Sequence, residues 1–326
     1  MKRLVVIDAH AIIHRAYHAL PPLTSAAGEP VGAVYGFTTI LLRMLRELKP
    51  DYIAAAFDLP GPTFRHVAYE RYKAHRPETP SDLSSQFNKV KEVLDAFEIS
   101  LFQKEGFEAD DIIGTIAKKT EKKKNIEVVV VTGDMDMLQL IRPRLKVYAM
   151  KKGISETMIY EEKEVKERYG LTPSQMIDFK GLKGDPSDNI PGVRGVGEKT
   201  ATMLIQEFGS LGGVYQAAKK KHKKISPVLL SKLLLGEEDA NFSRDLATIK
   251  TNVPLVLDFE TLQYQDVSTS KKVLELLTMF GFRSMVNRLM SNKDASSIIS
   301  KKKTLVSSKQ GIFDGFTENK MGLFIH

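Results

Sequence analysis

The stretch Gly184-Asp-Pro-Ser-Asp-Asn-Ile-Pro-Gly192-Val-Arg-Gly195-Val-Gly197-Glu-Lys-Thr-Ala201 organises this chain. Its first half carries Asp185 and Asp188 in a turn-rich segment, where short carboxylates can be aimed at a metal. Its second half sets Gly192, Gly195 and Gly197 just ahead of a helical run from Ala201 to Phe208. Glycine lets a backbone approach a ligand closely, and amides at a helix start attract phosphate. One segment therefore offers both a metal-ligand turn and a phosphate-gripping hairpin. It is not a dinucleotide fingerprint, because the glycine order is wrong and no strand precedes it. The bland alternative is a Gly-Pro loop with solvated acids.

Outward from that stretch, the N-terminal half reads as alternating strands and helices. Leu4 to Ile7 is an apolar strand ending at Asp8, followed by a helix over Ala9 to Leu20 that carries His10, His14, Arg15, Tyr17 and His18. Val34 to Leu48 has helical apolar spacing, and Tyr52 to Phe57 is a second strand, ending at Asp58. Strand, helix, strand predicts a parallel sheet, whose ligands lie beyond the carboxyl ends of the strands. Leu83 to Phe97 reads as a helix and Ile99 to Phe102 as a short strand. Glu108-Ala-Asp110-Asp111 opens a helix through Ala117. Val128 to Val131 is an apolar run read as a strand, the fourth strand in all, with Asp134 and Asp136 beyond its end, and Leu145 to Ala149 is another strand. From Glu161 onward the pattern is helical, with helices expected at 198–208, 211–218, 227–235, 238–247 and 271–282. The fold class is α/β: a central, mostly parallel sheet flanked by helices, with a C-terminal helical subdomain. Residues 291–326 read as a basic tail or linker.

Phe64 to Arg76 interleaves basic and aromatic residues, among them Arg65, Tyr72, Lys73 and Arg76. Single-stranded nucleic acid binds such surfaces, although an ordinary amphipathic helix has the same composition. The acids Asp8, Asp58, Glu108, Asp110, Asp111, Asp134, Asp136, Asp185 and Asp188 can meet at one end of the sheet. So many carboxylates cannot stay ionised together without cations. Oxygen-only ligands select hard ions, so Mg2+ or Mn2+ is expected rather than zinc. Two such ions about 4 Å apart stabilise both the attacking and leaving oxygens of a phosphodiester displacement. Setting the nine aside from the chain's 40 acids leaves 31 against 48 Lys and Arg, an excess of +17 around an anionic pocket. A nuclease needs that charge pattern. The 326 residues contain no cysteine, which excludes disulfides and zinc–thiolate sites. No stretch approaches the roughly 20 apolar residues of a membrane span, and a cytoplasmic, nucleoid-associated location is expected.

These motifs resemble the 5′-nuclease domain of bacterial DNA polymerase I, kin to the flap endonucleases. The carriers are Val6-Ile-Asp8, Val34-Tyr-Gly-Phe37, Ala56-Phe-Asp58, Phe64-Arg-His66, Tyr72-Lys73, Phe107-Glu-Ala-Asp-Asp111, Thr132-Gly-Asp-Met-Asp136, Gly184 to Gly192 and Gly195 to Ala201, spread over about residues 1–290. The resemblance implies a structure-selective, metal-dependent 5′-3′ exonuclease and 5′ flap endonuclease of replication and repair. It implies all nine acids as metal ligands, with Asp8, Asp58 and Asp134 central to catalysis and Asp185 and Asp188 as an outer pair. Lys73 matches the basic residue at the scissile phosphate and Tyr72 its stacking neighbour. Arg15, Arg65 and Arg76 join the DNA-facing set. Gly192, Gly195, Gly197, Lys199 and Thr200 match a helix–hairpin–helix that holds duplex backbone, often with a monovalent cation such as K+. The implied organisation is a nuclease core over 1–170, with an arch or clamp around 64–107, then a helical DNA-binding subdomain over 171–290. The expected partners are DNA with 5′ ends, flaps or nicks and a DNA polymerase in cis or trans, and the expected state is a monomer. Met135 departs from relatives that carry Lys or Arg between the paired aspartates. The alternatives are a catalytically silent binder of branched DNA and a ribonuclease with a related acidic pocket.

Overall fold

The structure is a computed structural model that describes residues 1–154 and 156–291. The tail expected beyond Ser291 lies outside the described residues. In chain order the elements begin with strand β1 (Lys2–Asp8), helices α1 (Ala9–Ala19) and α2 (Gly32–Leu48), and strand β2 (Tyr52–Ala56). Helices α3 (Phe64–Ala68), α4 (Ser81–Ser84) and α5 (Gln86–Ala96) follow, then β3 (Ser100–Phe102), α6 (Ala109–Thr120) and β4 (Ile126–Thr132). A 3-10 turn over Met135–Leu140 leads to β5 (Leu145–Lys152) and β6 (Glu156–Tyr160). The helical half comprises α7 (Glu162–Tyr169), α8 (Met176–Lys183), α9 (Glu198–Phe208), α10 (Leu211–Lys219), α11 (Pro227–Leu235), α12 (Glu237–Ala247) and α13 (Lys271–Met279).

The six strands form one sheet in the order β3-β2-β1-β4-β5-β6. All pairings are parallel except β5 with β6. Apolar runs make this possible: every residue of β4 is buried, as a parallel strand covered on both faces requires. Because β1 pairs with both β2 and β4, the connections run one way to β2 and the other way to β4. That reversal opens a crevice at the carboxyl ends of β1 and β4, where open α/β sheets bind ligands. Asp8 closes β1, Asp58 follows β2, and Asp134 follows β4, so the sheet delivers all three to that end.

Two differences from the sequence reading have local causes. The helix expected over 83–97 is divided into α4 and α5 at Ser85. The antiparallel strand β6 was not expected; five residues after a tight turn carry too little periodicity to be read. One hydrophobic core runs from Leu4 and Val130 in the sheet through Phe179 and Leu182 of α8 to Leu233 of α11. This core includes residues on both sides of residue 170. The compact unit ends at Asp266, and a second unit begins at Val267.

Candidate active site

The first carboxylate is fixed by local capping. Asp8 caps α1: its Oδ1 accepts the Ala11 N–H at 3.0 Å and its Oδ2 accepts the Thr132 hydroxyl at 2.6 Å. It is 2% exposed, and burial pushes its carboxyl up to about 7, against these two bonds and aided by repulsion from Asp134 and Asp58. Asp58 Oδ1 accepts the Ala109 N–H at 2.6 Å, which ties the end of β2 to the start of α6. Asp110, in the first turn of α6, is raised well above the ordinary carboxylate range by burial and then by Asp134, Asp8, Glu108 and Asp58. Asp134 accepts the Asp136 N–H at 2.8 Å, starting the 3-10 turn. Burial and Asp134 push Asp136 up to about 6, with Lys180 opposing them. These mutual repulsions put Asp8, Asp58, Glu108, Asp110, Asp134 and Asp136 within one electrostatic neighbourhood.

The countercharges come from elsewhere in the chain. Lys73 Nζ reaches Glu108 Oε1 at 3.0 Å, and its backbone, in the left-handed region at φ 56°, donates its N–H to the Asp188 carbonyl at 2.9 Å. Arg76 pairs with Asp188 at 2.5 Å. Lys180 bridges Asp136 and Asp185, reaching the latter at 2.6 Å. Burial raises Asp185, but Lys180 and Ser187 outweigh it and hold the carboxyl below its ordinary value. Lys180 escaped the sequence reading. The available signal was its place on the helix that runs into Asp185, five residues earlier.

Among the described residues, no three acids converge closely enough to hold one ion as they stand. The backbone positions are nevertheless fixed by strand ends and a helix start, and the donors are all carboxylate oxygens. That donor set fits a hard divalent ion, and the raised carboxyls of Asp8, Asp110 and Asp136 mark the site as short of positive charge.

Four residues expected at the site or facing DNA have their polar groups engaged within the fold. Asp111 is fully buried: Arg65 grips it with two bonds at 2.8 and 2.9 Å, and it accepts the N–H of Lys250 at 2.7 Å and that of Glu108 at 3.2 Å. Arg65, expected to face DNA, is 3% exposed and also binds the carbonyls of Leu246 and Thr248. Tyr72, expected as the stacking neighbour of Lys73, is 3% exposed and has the Lys73 ammonium 4.9 Å from its ring centre; its hydroxyl donates to Glu108 or Asp188, at 3.1 and 3.2 Å. Arg15 spends its guanidinium on the carbonyls of Met150, Lys151 and Gly153 at the end of β5. Arg65, Tyr72 and Asp111 are thereby tied to Glu108, and Arg15 to the carbonyls at the end of β5.

The glycine-rich loop joins α8 to α9. Gly192 sits at φ 62°, and a Cβ there would fall 2.3 Å from the Gly184 nitrogen, so this glycine is demanded by the chain's own packing. Gly195 is exposed, and its carbonyl accepts Lys232 Nζ at 3.2 Å. Gly197 is exposed, and a Cβ there would meet nothing within 4 Å. It precedes α9 without a side-chain cap, which leaves the first amides of that helix facing outward beside exposed Lys199 and half-buried Thr200.

Comparisons with known proteins bear on the fold and the family. Residues 3–170 match the family profile described as 5′-3′ exonuclease, N-terminal resolvase-like domain, and residues 171–270 match 5′-3′ exonuclease, C-terminal SAM fold. DNA polymerase I of Bacillus subtilis is 42% identical over 288 residues, covering 88% of this chain and 32% of the relative. The thermostable DNA polymerase I of Thermus aquaticus is 39% identical over 275 residues, covering 84% and 32%. The chain thus spans about a third of the length of the curated relatives it matches. Among solved structures, T5 5′-exonuclease with bound zinc superimposes with a TM-score of 0.61 at 19% identity, over 89% of this chain and 98% of that one. The catalytic core of Rad2 in complex with DNA substrate gives 0.52 at 19% identity, over 88% and 92%. At such identities the likeness is one of fold. With both halves of the α/β-plus-helical body matched by consecutive domains of one family, the chain belongs to the 5′-3′ exonuclease family.

Proposed function

We propose that this chain hydrolyses DNA phosphodiesters at 5′ ends and 5′ flaps with Mg2+ or Mn2+, as primer and flap removal in replication and repair require. The observation that carries this reading is the buried carboxylate cluster at the strand ends, raised in pKa and bordered by Lys73. In this reading Asp8, Asp58, Glu108, Asp110, Asp134 and Asp136 would hold the inner ion or ions, and Asp185 and Asp188 the outer position. A bound hard ion supplies a nucleophilic hydroxide and charge neutralisation at the phosphate. The T5 relative carries divalent metal and the Rad2 core carries DNA, which supports the same assignment here.

The chain's own residues divide the remaining work. Lys73 and Arg76 can leave Glu108 and Asp188 for a phosphate, since carboxylates freed of them can then ligate metal. Lys73 then stabilises charge that develops on the phosphate in the transition state. Tyr72, Arg65 and Asp111 orient Glu108 and the start of α6. The open backbone at Gly197 and the uncapped start of α9 form the second half of a helix–hairpin–helix that grips duplex phosphates, with K+ at its turn carbonyls. A DNA polymerase, in cis or in trans, is the partner that the curated relatives support. The chain acts as a monomer in the cytoplasm at the nucleoid. Among the described residues no helix is long and apolar enough to cross a membrane.

The test is Asp134→Asn, which keeps the shape and removes the charge. Single-turnover cleavage of a labelled 5′ flap in Mg2+ should fall by orders of magnitude. Flap affinity in chelator should hold or improve, because one repulsive charge is gone. Unchanged cleavage would remove Asp134 from the metal site.

A further inference from the structure

On the outer side of the carboxylate cluster, α1 carries His10, His14 and His18 at successive four-residue intervals, which puts them on one face of the helix. The first two are joined ring to ring. Their Nε2 atoms lie 3.1 Å apart, and the ring centroids lie 4.8 Å apart. Phe87 of α5 packs over both rings, at 5.1 Å from His10 and 6.1 Å from His14. The other nitrogen of His10, Nδ1, is buried with no hydrogen-bond partner and stands 3.8 Å from Asp58 Oδ2. Apart from Asp58, none of these residues belongs to the carboxylate site, and the nuclease reading gives the histidine pair no role.

A single shared proton accounts for the contact between two neutral imidazoles, with one Nε2–H donating to the other. The same geometry is also that of two ligands on one ion. Metal–nitrogen bonds of about 2.0–2.1 Å set two nitrogens about 3.3 Å apart at a tetrahedral angle and about 2.9 Å apart at a right angle. The observed 3.1 Å falls between these values. Histidines four apart on a helix are a recurrent chelating pair. A metal-bound imidazole characteristically donates its remaining N–H to a carboxylate, which fixes ring and tautomer. Here a carboxylate, that of Asp58, stands 3.8 Å from that nitrogen.

The geometry points to a second metal position, held by the Nε2 atoms of His10 and His14 and completed by water on the partly exposed side. It takes a borderline transition ion such as Zn2+, Ni2+ or Cu2+, because imidazole nitrogen suits these ions, whereas Mg2+ takes oxygen. Each ring then carries its proton on Nδ1, whichever of the two had donated through Nε2, so binding to the neutral pair releases no net proton. The stronger Nδ1–H of His10 draws in Asp58 Oδ2. The other oxygen of Asp58 is already held by the Ala109 N–H at 2.6 Å. Asp58 is thereby withdrawn from the hard-ion cluster, and a transition ion at the histidine pair inhibits Mg2+-dependent cleavage.

The test titrates the protein with Zn2+ in excess Mg2+, by calorimetry and by flap cleavage, for the wild type and for His14→Gln. His14 lies outside the carboxylate cluster, so its variant retains that cluster intact. The wild type should bind an equivalent of Zn2+ whose affinity falls at least tenfold in His14→Gln, and Zn2+ should inhibit the wild type more strongly than the variant. On the unmutated protein, ring-proton resonances of His10 and His14 should shift with Zn2+ and not with Mg2+. Equal Zn2+ affinity in the two proteins, or stationary histidine resonances, would overturn the site. Binding at the pair with cleavage undiminished would overturn the link to Asp58.

Discussion

Replacing Arg65 with methionine separates a DNA-facing arginine from a buried strut. The guanidinium makes five hydrogen bonds: two to Asp111, one to Glu108 at 3.3 Å, one to the Leu246 carbonyl and one to that of Thr248. Both Arg65 and Asp111 are essentially out of solvent, at 3% and 0% exposure. Methionine conserves much of the volume but leaves the Asp111 charge buried with only backbone donors. Removing one partner of such a pair costs about 3–5 kcal/mol. For a body of this size that corresponds to a fall of roughly 6–20 °C in Tm. Asp111→Asn in the Arg65→Met background should restore part of the loss, because the unpaired charge disappears. Denaturant melts of the two single variants and the double variant yield the coupling directly. Flap affinity, measured well below the new Tm, should change far less than stability. An unchanged melt together with a many-fold loss of flap affinity would show that Arg65 faces DNA and refute the strut.

Lys73→Ala should lower turnover by on the order of a hundredfold while changing flap affinity far less, since a cation at the scissile phosphate acts mainly in the transition state; equal losses in the two would assign Lys73 to general binding. In chelator, stability should fall as pH rises from about 4 to about 7, because Asp8 and Asp136 hold their protons to about 7 and 6 in the fold and release them near 3.8 when unfolded. Mg2+ should reverse the loss at neutral pH, and a flat melt profile across that window would contradict the buried cluster. Gly192→Ala should destabilise the fold by forcing Cβ against the Gly184 backbone, whereas Gly197→Val should melt normally and weaken duplex binding irrespective of sequence. If Gly197→Val reduced cleavage but left duplex affinity intact, the hairpin would have another role.

Much of the fold was legible because its signals are local. The apolar runs ending at Asp8, Asp58 and Asp134 predicted a parallel sheet with acids at its carboxyl edge, and the sheet has that form. The helix expected over 198–208 is Glu198–Phe208, and the one expected over 227–235 is Pro227–Leu235. Periodicity and capping act within one or two turns, so a linear reading can see them. The strand β6 and the division of 83–97 at Ser85 were not visible, because a five-residue strand depends on its neighbour and a one-residue break leaves the apolar pattern intact.

By its sequence alone the chain determined which residues carry charge and roughly where along each element they stand. The tertiary structure alone decided which way they face. Asp110 and Asp111 are adjacent in the first turn of α6, yet one belongs to the acidic cluster and the other clasps Arg65, 46 residues away in sequence. Lys180 becomes the countercharge of Asp136 from 44 residues away, and Tyr72 meets Asp188 from 116. A helix turns by about 100° per residue, so neighbouring carboxylates point to different surroundings. What fills those surroundings is set by chain segments that meet only after folding. A buried charge must find a partner there or give up its ionisation, and that choice follows from packing rather than from sequence order.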